Sequence, residues 1–198
     1  MRRRSGIDGL CWVGDDGWPK AMAGVGRLGG VSTGRDAEFE GWYVQAYPRV
    51  RAAVTLAVGD ADLAEEATAE AFARAVVHWS TVRAAASSQA WVYTVAMNQV
   101  RSTLRRRRVE RRWLRRQATQ PVDHQPPPVE PDDPLWSAVR QLPRRARTAV
   151  ALRYVADLSE AEVAEVMGIA RGTAAATLHQ ARKRLSELLA DTEEERTR

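Results

Sequence analysis

Between Arg101 and Arg116 the chain places nine arginines against a single acid, Glu110. Guanidinium groups pair with phosphate oxygens in a planar fork. So many like charges on one short segment repel one another, and a polyanion relieves that repulsion. Trp91, Tyr93 and Asn98 sit just upstream. Aromatic faces stack on unpaired bases for about 1–3 kcal/mol per base, and an amide can read base edges. Trp91, Tyr93, Asn98, Arg101 and Arg105 therefore suit phosphates and unstacked bases on one element. The competing reading makes Trp91 and Tyr93 core aromatics beside a solvated arginine tail, and the sequence leaves both open.

A second set follows the turn Gly168-Ile169-Ala170. The next helix would point Arg171, Thr173, Ala174, Thr177, Gln180, Arg182, Lys183 and Arg184 outward. The major groove, about 12 Å wide, admits one such rod. Basic residues at both ends suit phosphates, and Thr177 and Gln180 suit base edges. A helical hairpin that merely packs is the bland alternative. A third set, Asp62, Glu65, Glu66 and Glu70, would attract a basic partner or simply face water.

Catalytic chemistry lacks its groups. His78, His124 and His179 lie on three separate elements, and the lone Cys11 has no partner for a disulfide or a metal cluster. Gly24, Gly26, Gly29 and Gly30 follow no strand, so they form no phosphate loop. We expect no catalytic site, no metal, no cofactor and no enzyme activity.

The elements that position these sets read as helices. Phe39, Trp42, Tyr43, Ala46, Tyr47, Val50, Ala53 and Val54 recur every three or four residues, with Pro48 inside the run. Gly59-Asp60 marks a turn. A second helix starts at Asp62, with Glu65 completing a capping-box pair; its apolar stripe is Leu63, Ala67, Ala71, Phe72, Ala75, Val76 and Trp79. Residues 80–88 read as a loop. A long helix runs from about Gln89 to Arg116, with Val92, Ala96, Val100 and Leu104 toward the core.

Residues 117–134 carry six prolines and a net charge of −4, an acidic semi-extended linker. Beyond it, Trp136, Val139 and Leu142 form a short helix stopped by Pro143. Ala149, Val150, Leu152, Tyr154 and Val155 form another. Ser159 and Glu162 cap a helix carrying Val163, Val166 and Met167 that ends at Gly168. The last helix runs from about Arg171 to Leu189, with Leu178, Ala181, Leu185 and Leu188 inward. Nothing alternates like a strand. The expected fold is all-α: two small helical domains joined by the Pro-rich acidic linker.

The 198 residues carry 30 Lys+Arg against 25 Asp+Glu, and only Lys20 and Lys183 are lysines. No run approaches the roughly 20 apolar residues that span a bilayer, and the start MRRRSGIDGL has no signal-peptide core. The expected compartment is the cytoplasm, with no membrane insertion. Residues 1–36 show no packable pattern and read as disordered. A start codon assigned too early would explain them, with translation beginning near Met22, Val25 or Val31.

These residues, taken in order, resemble a known family. The match runs through Phe39-Glu40, Tyr47-Pro48, Gly59-Asp60, Ala64-Glu65-Glu66 and Glu70-Ala71-Phe72-Ala73-Arg74-Ala75 to Ala90-Trp91-Val92-Tyr93-Thr94-Val95-Ala96-Met97-Asn98. It resumes at Leu142-Pro143, Ala151-Leu152-Arg153-Tyr154, Leu158-Ser159, Met167-Gly168-Ile169, Gly172-Thr173 and Leu178-His179. The pattern is similar to the extracytoplasmic-function sigma factors of the sigma-70 family. The resemblance implies two domains: 37–116, which docks on core RNA polymerase and reads the −10 element, and 135–190, a helix-turn-helix for the −35 element. Residues 117–134 would be the flexible linker, and 191–198 a C-terminal tail. It implies −10 contacts by Asn98, Arg101, Arg105 and Arg108, and −35 contacts by Arg171, Thr173, Thr177, Gln180, Arg182 and Arg184. It implies docking through Asp62, Glu65, Glu66, Glu70 and Phe72. The implied partners are the β and β′ subunits of core polymerase, promoter DNA and, as a family expectation, an anti-sigma factor. A stand-alone helix-turn-helix regulator is the alternative function.

The chain departs from the family pattern in places. Its recognition helix has Ala175, Ala176, Thr177 and Gln180 where the family favours Lys, Ser and Arg. Ala170 replaces the usual Ser cap, Ala69 a usual Gln, and Ser102 a common Asp. These changes imply fewer phosphate contacts at the −35 element.

Overall fold

A computed structural model of the chain describes residues 33–117 and 133–197. The described elements are helical throughout: α1 (Thr33–Val58), α2 (Ala61–Val77), α3 (Trp79–Ala84), α4 (Ser88–Gln117), α5 (Pro134–Gln141), α6 (Arg144–Val150), α7 (Glu160–Met167) and α8 (Arg171–Thr197). Helix α6 runs straight into a π-helical turn, Ala151–Val155. Most of residues 1–36 and of the linker lies outside the described residues.

Pro48 sits inside α1 without dividing it. Gly59, at φ +75°, turns the chain where an L side chain is strained. Asp60 then caps α2 by accepting the Leu63 N–H at 2.9 Å. The cap is therefore Asp60, two residues before the Asp62 that the sequence suggested. The expected loop at 80–88 contains α3, whose Trp79 and Val82 are buried. Ser87 closes it, accepting the Ala90 N–H at 3.1 Å at the start of α4.

Of the predicted α2 stripe, Leu63, Ala67, Ala71, Phe72, Ala75 and Trp79 are buried, but Val76 is 44% exposed. Tyr154 also points outward, because the π turn rotates it away from the core beside buried Leu152. Just beyond the turn, Asp157 stands at φ +55°, a short polar residue that tolerates the left-handed region. Asp133 and Pro134, assigned to the linker by sequence, instead start α5: Asp133 caps it and Pro134 opens it.

The Ser159–Glu162 capping box forms as read. Gly168 ends α7 at φ +66°, and Ile169 N–H donates to Ala164 O at 2.9 Å. This is the Schellman closure that sets the angle into α8.

The two helical domains pack against each other. One contiguous core takes Val50, Val54, Leu63, Phe72 and Val92 from the first half and Leu152, Leu158, Val163 and Val166 from the second. Helix α4 packs on α2 and also on α7. A smaller cluster, Val139, Leu142, Val150 and Ala181, receives Leu56 from α1. Helix α4 is thus covered on both sides, and apolar burial favours the packing of the two domains on each other. Replacing Ser159 with Ala removes the side-chain arm of the capping box and leaves the Ser159 N–H to the Glu162 carboxylate, and urea unfolding should show a loss of about 1 kcal/mol.

Candidate nucleic-acid and polymerase interfaces

Helix α4 positions the first set. Asn98, Arg101, Arg105 and Arg108 recur at spacings of three and four, so they share one face over about 15 Å. Arg105 and Arg108 are exposed, and Asn98 is half-buried. Arg101 is committed elsewhere: it donates to Asn98 Oδ1 at 2.7 Å and to Val166 O of α7 at 3.0 Å. Burial lowers its guanidinium pKa. Arg107, off this face, pairs with Asp60 at 3.1 Å.

Tyr93 is fully buried, so it is a core aromatic rather than a stacking platform; burial pushes its hydroxyl pKa well up. Trp91 is half-buried against the core. Sequence reasoning passed over Val109 and Trp113, which are 64% and 57% exposed and line a shallow groove with Arg105 and Arg106. Their four-residue spacing was the available signal.

Helix α8 positions the second set. Ala174, Leu178 and Ala181 are buried, and Leu185 is half-buried. Ala174, expected outward, therefore belongs to the packing face. At about 100° per residue, Thr173, Thr177, Gln180 and Arg184 share one flank, and Arg171 and Arg182 lie on the other. The outermost line runs through Gly172, Ala176, His179 and Lys183, all exposed. The sequence reading named Lys183 of this line among the outward residues but passed over Gly172, Ala176 and His179. Thr177 Oγ1 is held by Thr173 O at 2.7 Å, and Arg184 pairs with Glu187 at 3.1 Å.

Helix α2 positions the acidic set. Asp62, Glu65 and Glu66 are exposed, and Glu70 pairs with Arg74 at 2.6 Å. Phe72 is 2% exposed and stacks with Trp42, Tyr43 and Tyr47 at centroid distances of 5.1–5.3 Å. It supports α2 from beneath, its side chain covered in this structure. The outward line of α2 instead continues from Asp62 and Glu66 through Ala69 and Ala73 to Val76 and Val77, which are 44% and 55% exposed. This surface is acidic at one end and apolar at the other.

Glu65 is partly spent internally. It accepts from Tyr47 Oη at 2.7 Å and from Arg51 at 3.1 Å. The Tyr47 hydrogen bond and then the Arg51 one lower its carboxyl pKa. Reciprocally, Glu65 pushes Tyr47 up to about 12.

Sequence-family profiles agree with this geometry. One described as Sigma-70 region 2 matches residues 42–110, and one described as Sigma-70, region 4 matches residues 132–185. The ECF RNA polymerase sigma factor EcfG of Rhodopseudomonas palustris (strain TIE-1) is 28% identical over 146 residues, covering 73% of this chain and 81% of that protein. The fold is also that of a solved structure, the sigma factor RpoE in complex with the anti-sigma factor NepR from Bartonella quintana. That likeness has a TM-score of 0.63 and 24% identity, over 77% of this chain and 97% of that one.

Two helical DNA-reading domains in this order define a transcription initiation factor. The chain belongs to the sigma-70 family, as an extracytoplasmic-function sigma factor. Its function is promoter-directed initiation rather than that of a stand-alone regulator, and the family is one of sigma factors, not enzymes. Among the described residues no helix is long and apolar enough to cross a membrane.

The Tyr47–Glu65 pair gives a pH prediction. A raised tyrosine pKa stabilises the fold below the ordinary value of about 10, and that stability is lost as pH rises through about 12. Tyrosine-ring carbon NMR should place Tyr47 near 12, and Glu65→Gln should return it toward 10.

Proposed function

We propose that this protein works in the cytoplasm by lending two DNA contacts to core RNA polymerase, and that it catalyses nothing itself. The observation that carries this reading is the arginine-rich distal half of α4 joined in one chain to the exposed outer line of α8. Residues 37–116 serve the −10 element and 135–190 the −35 element. Asn98, Arg101, Arg105 and Arg108 hold the unpaired strand near −10. The exposed faces of α8, with Arg171, Thr173, Gln180, Arg182, Lys183 and Arg184, enter the major groove. Asp62, Glu66, Val76 and Val77 meet the β and β′ side of polymerase, where the carboxylates steer and the valines bury apolar area. An anti-sigma factor is a further partner of this reading.

Energetics require the larger machine. Duplex stacking is worth on average about 1.4 kcal/mol per step, and extruding a base takes a few kcal/mol more. One small helical chain cannot open a bubble of many base pairs alone. Purified protein without polymerase should therefore bind duplex promoter DNA weakly in a fluorescence-anisotropy salt titration; nanomolar binding would count against the reading.

Run-off transcription with and without core polymerase tests the function directly. Wild-type protein should support promoter-specific transcripts only with polymerase. Arg105→Ala should lower open-complex formation and flatten the salt slope by about 0.7–0.9, the share of one phosphate contact. Glu66→Lys should weaken polymerase capture in a pull-down, with an unchanged circular dichroism spectrum.

A further inference from the structure

The outer line of α8 carries almost no side chain over its first two turns. Gly172 and Ala176 come first on that line, and His179 and Lys183 follow; all four are exposed. On the opposite side Ala174 and Leu178 are buried. Nothing in the fold asks for glycine at position 172. A Cβ there would meet nothing within 4 Å, and the residue does not adopt a left-handed φ. It lies inside the first hydrogen-bonded turn, which the Ala174 N–H closes on Ala170 O at 3.0 Å. Glycine in a helix is less stable than alanine. What it offers in return is close approach of the backbone to another molecule.

Ala176, one turn on, adds a single methyl group to this smooth strip. Beside it, the Thr177 hydroxyl donates to Thr173 O at 2.7 Å, so it has no proton left for a base edge. The charges say what the strip meets. From Arg171 to Arg184 there are four cations and no carboxylate. Arg171 and Arg182 stand on one flank and Arg184 on the other, which suits the two phosphate backbones that border a groove.

In the major groove, thymine alone presents an apolar group, its C5 methyl. Other base edges there are donors and acceptors, and a methyl group pressed on them removes water without replacing its hydrogen bonds. We infer that Gly172 and Ala176 are specificity-determining residues: Gly172 lets α8 seat deeply, and the Ala176 methyl packs on a thymine methyl of the −35 element. The inference rests on the reading of α8 as the −35 helix. Hydrogen-bond readout then falls to His179 and Gln180, about one turn further along.

The test uses the full chain assembled with core polymerase, on a duplex promoter that the assembly transcribes in run-off. Each thymine of the −35 element, on either strand, is replaced in turn by deoxyuridine, which lacks only the methyl group. Wild-type protein should lose about fourfold in affinity at one thymine, the share of one buried methyl. Ala176→Gly removes the partner methyl, so the same deoxyuridine should cause no further loss. Gly172→Ala should raise the urea midpoint, since the added Cβ has open space, and yet weaken promoter binding severalfold. If Ala176→Gly fails to fold, Gly172→Ala carries the variant arm. A glycine kept for folding alone would instead lower the urea midpoint on substitution and leave the affinity of the folded protein unchanged. That result would overturn the inference, as would a −35 element in which no thymine responds to deoxyuridine. Both are read on an assembly that transcribes, so they leave the function standing. Absence of run-off transcripts with wild-type protein would overturn the function itself, and this inference with it.

Discussion

A helix end leaves carbonyls that something must satisfy, and in this protein that requirement joins the two halves. Val58 O, Ala156 O and Val166 O each receive a side chain from across the boundary. The apolar core beneath brings the surfaces together without direction, since burial scales with area rather than geometry. The polar caps supply the direction. A net hydrogen bond to a charged group is worth about 1.5–3 kcal/mol, enough for a few such bonds to select one packing among several of similar area.

The same economy shapes the aromatic end of the first half. Phe39, Trp42, Tyr43, Tyr47, Phe72 and Trp79 stack within 6.0 Å of one another in a chain of contacts. This cluster fixes α1 against α2 and so holds the acidic face of α2 rigid. Tyr47 reaches out of the cluster to Glu65, so one carboxylate of that face is anchored while Asp62 and Glu66 stay free in solvent. This face of α2 is therefore graded, from anchored charge through exposed charge to the exposed valines.

Local signals were legible in the sequence because local physics makes them. The Ser159–Glu162 box, Gly168 and the three-four periodicities of α4 and α8 follow from hydrogen bonding within a few residues. The arginine face of α4 and the flanks of α8 followed from the same period. What failed was long-range. Nothing near Tyr93 or Phe72 says which of two faces is covered, because the covering groups lie far away in the chain. Val76 looked inward because alanines surround it, yet α2 turns it outward. Tyr154 was misplaced because a π turn adds a residue to the helical repeat, and no residue type marks such a turn. The closure of the halves was hidden for the deepest reason: its acceptors are backbone oxygens, which every sequence has.

That last feature carries a consequence for inheritance. Gln89, Arg101 and Arg147 each stabilise a helix end they do not belong to. A chimera that joins the first half of this chain to the second half of a distant relative would keep every residue of its linker and still lose the fit at the seam. The proline-rich connection suggests parts that can be shuffled freely, but the seam ties their histories together, and substitutions on one side are selected by the backbone course of the other.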